Sequence, residues 1–176
     1  MKKQKVQRNR RITKMDRSRD LSRLVYLYGN DIVKSPSFHK TKEHIQHGTI
    51  TVHQHCKDVA KCSLAISKTF RIKCDQRALV RGALLHDYFL YDWHDKDHRE
   101  IKNLHGFYHP GIALKNAQEH YDLTDIERDI IHKHMWPLTI VPPKYREGWI
   151  VTMADKYCSL LETVRIRRGR KRGISK

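Results

Sequence analysis

No apolar run in the 176 residues approaches the roughly 18 needed to cross a membrane, so no membrane span is expected. The N-terminus is rich in Lys and Arg but lacks the apolar stretch of a signal peptide, which points to a cytoplasmic protein. The four cysteines, Cys56, Cys62, Cys74 and Cys158, form no C-x-x-C pair. They fall mostly within helical patterns and read as reduced, half-buried thiols. No segment alternates apolar and polar residues for long enough to build a sheet, and there is no internal repeat. Acid is nearly missing from both ends. Residues 1–19 hold nine Lys/Arg and one acid, and residues 165–176 hold seven and none. Of the net charge of +17, only +2 is left for residues 20–164. Neither basic run contains an aromatic residue to stack on bases. The ends therefore read first as solvated, disordered tails and second as a grip on RNA or another polyanion.

What is present is helical spacing. The length suits one compact domain, divided here into a basic, disordered segment 1–15, a helical domain 16–164 and a basic tail 165–176. The pattern predicts a helix from Asp16 to about Val33, ended by Ser35-Pro36, and a short helix from Ser37 to Gln46 with Gly48 as its C-cap. A further helix spans Thr51–Phe70, with Val52, Cys56, Val59, Ala60 and Ser63 inward. Asp75 suits the N-cap of a helix reaching Leu90, on which Gly82 and Ala83 let a neighbouring helix come close. Residues 91–100 are polar and show no clear period, and 91–108 read as a long loop. Pro110 fits the first position of the following helix, leaving His109 at its entrance. Thr124-Asp125-Ile126-Glu127 reads as a capping box. The last helix runs from about Gly148 to Val164, with Ile150, Met153, Ala154, Tyr157, Leu161 and Val164 facing the core. The fold class is all-α, a single helical bundle.

Polar residues interrupt this core pattern at telling places. His55 lies on the inward stripe of its helix, three residues after Val52 and four before Val59, whereas His53 is about 200° away at 3.6 residues per turn. His86-Asp87 closes the apolar run Gly82-Ala83-Leu84-Leu85. His134 continues the Ile126, Ile130 column, and His132 points elsewhere. Asp155 sits at the edge of the last helix's stripe. His55, His86, Asp87, His109, His134 and Asp155 are each separated by about one helix and a turn, apart from the adjacent pair, so a bundle can bring them to one level. Four imidazoles and two carboxylates suit divalent transition metals such as Fe, Mn or Zn, and six ligands suit two ions rather than one. Asp87 is the natural bridge for a pair about 3.5–4 Å apart. Thirteen histidines guarantee some chance placements. An inward set of four His and two Asp in bundle order is harder to attribute to chance, because unpaired buried carboxylates are costly. A mononuclear site on His55, His86, Asp87 and Asp155 is the smaller alternative.

His55…His86-Asp87…Asp155 resembles the H…HD…D signature of the HD-domain superfamily over about residues 45–162. With His109 and His134 the chain is similar to the H…HD…H…H…D variant, whose members hold two metals. Gln46-His47-Gly48 before the first ligand and Met135-Trp136-Pro137-Leu138 after the fourth resemble small bacterial HD-domain proteins. The resemblance implies an all-α phosphohydrolase acting on a phosphate ester, a nucleotide or a related phosphorylated small molecule, by metal-activated water. Asp87 and Asp155 would then be catalytic as well as ligands. Where many members read His-Asp-x-Gly-Lys, this chain has His86-Asp87-Tyr88-Phe89-Leu90. The lysine contact with substrate is missing, and His94, Lys102, His105 and Lys156 are the candidates to replace it. The same six-ligand pattern also occurs in mixed-valent di-iron oxygenases of the superfamily. A third reading is a non-catalytic module binding nucleotide or RNA through its basic ends.

Overall fold

The computed structural model describes Asp16, residues 18–90 and residues 99–173, without the side chains of residues 47, 99–106 and 167–173. The expected disordered segment 1–15, the first eight residues of the expected loop and the last three residues of the tail lie outside that range. Among the described residues the chain is all-α apart from one two-stranded hairpin. The helices are α1 (18–28), α2 (Asn30–Val33), α3 (Pro36–His39), α4 (Val52–Thr69), α5 (Gln76–Leu85), α6 (Arg99–His120), α7 (Asp125–Lys133) and α8 (Arg146–Gly173), with a 3-10 turn at Lys40–Lys42. α4 packs on α5 and α8, α5 on α7, and α7 on α6 and α8.

Local chemistry sets the helix starts. Thr51 accepts the Gln54 amide N–H at the head of α4, and Asp75 accepts that of Ala78 at the head of α5. Both halves of the Thr124/Glu127 capping box form at α7. Gly82 lies against α7 so closely that a Cβ there would stand 2.5 Å from Ile130 Cδ1 and 2.9 Å from its Cβ. The small residue is what lets α5 and α7 meet. Buried Arg81, one position earlier, pairs with Glu127 at 2.6 Å and with Asp31, and donates to the Asp122 carbonyl at 2.8 Å. The core between these helices includes Leu64, Leu79, Leu84, Leu85, Ile130, Ile131, Val151 and Ala154.

Several expected boundaries move. The first helix is broken at Gly29, where a side chain would strike Leu84 and the Val25 carbonyl. The expected helix Ser37–Gln46 is only α3 and the 3-10 turn. Residues Ile45–His47 and Ile50–Thr51 form strands β1 and β2 of an antiparallel hairpin instead. Gly48, expected as a helix C-cap, supplies the positive φ (62°) of the hairpin turn. The strands are too short to show a period of two. Residues 99–108, expected as loop, are helical, so Pro110 lies inside α6 rather than at its start. Its missing N–H would have reached the carbonyl of residue 106, where the chain has Gly106. α5 stops at Leu85 rather than Leu90, and α8 runs past Val164 to Gly173. Met153 and Tyr157, expected in the core, are 60% and 55% exposed. The buried side of α8 is rotated to carry Glu147, Ile150, Val151, Ala154, Asp155, Cys158 and Glu162, so the helix turns acids inward at the expense of two large apolar groups.

Candidate metal centre

The six residues singled out above come from five separate helices or helix ends, yet all six converge. His55 is on α4, His86 caps α5 and Asp87 follows it, His109 is on α6, His134 caps α7, and Asp155 is on α8. All are buried, the most exposed being Asp155 at 8%. They form two groups that could each hold a metal ion. One donor atom apiece from His55, His86, Asp87 and Asp155 lies within 4.8 Å of the others, and the same holds for Asp87, His109 and His134.

Asp87 belongs to both groups, through different oxygens. Its Oδ2 stands 3.3 Å from His86 Nε2 and 3.7 Å from His55 Nε2. Its Oδ1 stands 3.1 Å from His109 Nε2 and 3.4 Å from His134 Nε2. Asp155 Oδ1 completes the first group, 3.1 Å from His55 Nε2 and 3.8 Å from His86 Nε2. His109 and His134 face each other with Nε2 atoms 2.9 Å apart.

The outer ring nitrogens fix which lone pairs point inward. His86 Nδ1 donates to the Ala83 carbonyl and His134 Nδ1 to the Ile131 carbonyl, both at 2.8 Å, one turn back on their own helices. His55 Nδ1 donates to Glu162 at 3.0 Å. In each case Nε2 faces the centre, where it can become a ligand once any proton on it is displaced; without metal, His55 Nε2 donates to Asp155 Oδ1 at 3.1 Å. His134 Nε2 then aims a lone pair at a carboxylate oxygen 3.4 Å away, an arrangement that a cation or a proton reconciles. His86 Nε2 is buried with no hydrogen-bond partner among the described residues. A buried ring nitrogen without a partner is costly, and a cation bound by the set removes that cost. By donor chemistry and by this orphaned nitrogen, the residues fit transition-metal ions.

Titration follows the same geometry. Burial works against charge on His55, but its bonds to Asp155 and Glu162 prevail and raise its pKa to about 10. Burial likewise opposes charge on His86, and Asp87 and Asp155 overcome it, moving the pKa well above the usual value. Burial alone would raise the Asp87 carboxyl; the facing imidazoles, His86 first, hold it well below the usual range. Asp155 is also lowered, against burial, by His55 and His86. His134 is lowered, mainly by burial, so its ring is neutral at neutral pH. Without metal, protons on His55 and His86 balance the buried carboxylates. Metal binding must displace them.

Two contacts at the centre were not anticipated. Glu162 holds the far side of His55, seven residues and two turns beyond Asp155 on α8. The available signal was an acid lodged in an apolar helical stripe. Gln46, on β1, donates from Nε2 to Asp87 Oδ2 at 2.7 Å. The hairpin that carries it was hidden by its shortness. Phe89 packs edge-on against His109 with ring centroids 6.0 Å apart. His53 points away from the centre as expected, but into a buried contact with Phe38, and His132 is exposed. Of the proposed substrate contacts, Lys156 is exposed and donates to the Trp136 carbonyl at 2.7 Å. His94 and the side chains of Lys102 and His105 lie outside the described residues. Comparisons with known protein families, with curated proteins and with solved structures return no match to this chain.

Proposed function

We propose that the chain is an HD-type, metal-dependent phosphohydrolase acting on a phosphate ester, with a nucleotide or related phosphorylated small molecule as substrate. The observation that supports this reading best is the division of Asp87, whose two oxygens serve two donor groups. In-line displacement at phosphorus is commonly served by two ions sharing a bridging ligand. Ligand order along the chain, with His109 and His134 between His86-Asp87 and Asp155, is that of the two-metal HD variant. Bound divalent ions would supply Lewis acidity to the phosphate oxygens and a water that ionises near neutral pH.

The chain's own groups supply the remainder. His55, His86 and His134 would present oriented lone pairs to a bound ion, because each outer nitrogen is already committed to an acceptor. Asp87 fixes the spacing of the two halves. Asp155 Oδ1 accepts a bond from Ser159 Oγ at 3.3 Å, and Asp155 is the carboxylate placed to orient an attacking water. Burial keeps competing solvent away and strengthens each electrostatic contact.

The test is elemental analysis of the purified protein, followed by assay against nucleotides, cyclic dinucleotides and model phosphodiesters. We expect about two Fe, Mn or Zn ions per chain, and phosphate release that falls at least ~100-fold in His86→Ala and Asp87→Asn. A protein that binds no transition metal, or turnover indifferent to both substitutions, overturns the proposal. Oxygen consumption with a mixed-valent iron signal and no phosphate release would assign the centre to the oxygenase class instead.

A further inference from the structure

We infer that Gln46 is a working part of this centre: its amide clamps Asp87 with one end and receives a proton-bearing ligand with the other. The inference rests on the metal centre proposed above and adds to it a residue and a ligand chemistry.

The orientation of the amide follows from its partner. The amide Nε2 lies 2.7 Å from Asp87 Oδ2 and donates to it, as an amide nitrogen must towards a carboxylate oxygen. That leaves Oε1 on the other side. Gln46 is 9% exposed, and its Oε1 is buried with no hydrogen-bond partner among the described residues. The two polar atoms of one amide are about 2.3 Å apart, so Oε1 lies within about 5 Å of Asp87 Oδ2. His86 Nε2, the other orphaned atom, is 3.3 Å from the same oxygen. An unfilled carbonyl oxygen and a partnerless ring nitrogen thus flank one carboxylate oxygen on the His55/His86/Asp155 side. A carbonyl oxygen cannot receive a phosphate oxygen, which also only accepts. It can receive a water, or a hydroxyl or amino group of the substrate. Water is the occupant of the resting centre.

The backbone is built to hold Gln46 there. β1 and β2 pair antiparallel, and the Gly48 turn lies so close to α8 that a Cβ would stand 2.6 Å from Ile166 Cδ1. The hairpin is therefore seated on the helix that carries Asp155 and Glu162. Removing the amide's donor should loosen Asp87. Removing its acceptor should free the water.

Gln46→Met keeps the length and apolar stem and removes both functions; Gln46→Glu keeps an acceptor and replaces the donor with charge facing Asp87. The proteins are loaded with Mn(II) and compared by metal titration, by the hyperfine couplings of exchangeable protons near the ion, and by hydrolysis of a model phosphodiester. We expect Gln46→Met to bind Mn(II) within about 10-fold of wild type, to lose or alter the exchangeable-proton couplings, and to drop kcat about 100-fold with KM little changed. Gln46→Glu should bind more weakly than Gln46→Met. Circular dichroism identifies any variant that fails to fold, in which case Gln46→Asn, a shortened amide that reaches Asp87 or the water but not both, carries the same readouts. If wild-type protein binds Mn(II) and Gln46→Met matches it in couplings and rate, the Gln46 assignment falls and the centre stands. If wild type binds Mn(II) but hydrolyses no substrate, the couplings alone decide for or against Gln46. If wild type binds no metal, both readings fall.

Discussion

Gly82→Ala adds one methyl group at the closest approach of α5 and α7. Unstrained carbon–carbon contacts sit at about 3.5–4.0 Å. The new Cβ would stand 2.5 Å from Ile130 Cδ1 and 2.9 Å from Ile130 Cβ, a shortfall of about 1 Å. Ile130 is fully buried, and its Cβ cannot turn away by a rotamer change, so the helices must separate. Overpacking of this kind costs about 1–3 kcal/mol, only partly offset by the ~1 kcal/mol gained when alanine replaces glycine in a helix. The net loss should be about 0–2 kcal/mol, or up to ~8 °C in Tm for a chain of this size. His86-Asp87 lies just beyond Gly82 on α5, and His134 just beyond Ile130 on α7. Separating the helices therefore stretches the Asp87 Oδ1 group and spares the Oδ2 group. We expect ~10-fold or greater weakening of one ion of the pair and little change in the other. Gly111→Ala is the internal control, since a Cβ there meets nothing within 4 Å; it should be neutral or stabilising by up to ~1 kcal/mol. The assay is thermal denaturation in chelator, followed by metal titration. A Gly82→Ala protein melting within 1 °C of wild type, with both ions bound normally, would refute the claim that this contact sets the spacing of the centre.

Glu162→Gln keeps an acceptor for His55 Nδ1 but removes the charge, and should weaken metal binding about 10-fold; Glu162→Ala should weaken it about 100-fold, measured by competition with a chelating dye. Loading ions onto metal-free protein at pH 7 should release protons, because His55 holds its proton up to about pH 10 until a cation replaces it; calorimetry in buffers of different ionisation enthalpy counts them. His53 behaves oppositely, its pKa lowered to about 4 by burial and by Lys57, Lys42 and His39. The unfolded chain takes up that proton near pH 6.5 and the folded one only near pH 4, so this contribution to stability is complete above pH 6.5 and is lost as pH falls through that window. Its size is about 2 kcal/mol once solvent screening is allowed for. His53→Phe should flatten the acid limb of the stability curve by that amount, and an unchanged limb would contradict the assignment.

Much of the centre was legible because its ligands obey helical arithmetic. His55, His134 and Asp155 each fall on or beside an apolar column, and a buried column carrying an ionisable group is informative. Thr124/Glu127 and Asp75 were legible for a different reason: capping is local, needing only neighbours three residues away. What escaped was non-local or too brief. β1 and β2 span three and two residues, too few to display alternation, and Gln46 went with them. Residues 99–108 are helical, with Ile101, Leu104 and Tyr108 at helical spacing, but the polar, aperiodic run before them hid where the helix starts. On α8 the apolar pattern misled: Met153 and Tyr157 fit the stripe, but the helix is turned to deliver Asp155 and Glu162 to His55.

α5 and α7 are joined by two rungs. Arg81–Glu127 forms one, and Asp87–His134 the other, six residues further along α5 and seven along α7. That spacing is about 10 Å along each helix. The first rung carries its positive charge permanently, in a guanidinium that does not titrate at physiological pH. The second sets a buried anion against a neutral ring, with a proton on His86 beside it until a cation takes its place. With a cation bound, the pair would work as a latch with one end riveted and the other closed from solution. Starving the protein of metal should leave the Arg81 end shut while the Asp87 end gapes, so that amide exchange quickens at residues 131–138 well before it does at residues 125–128.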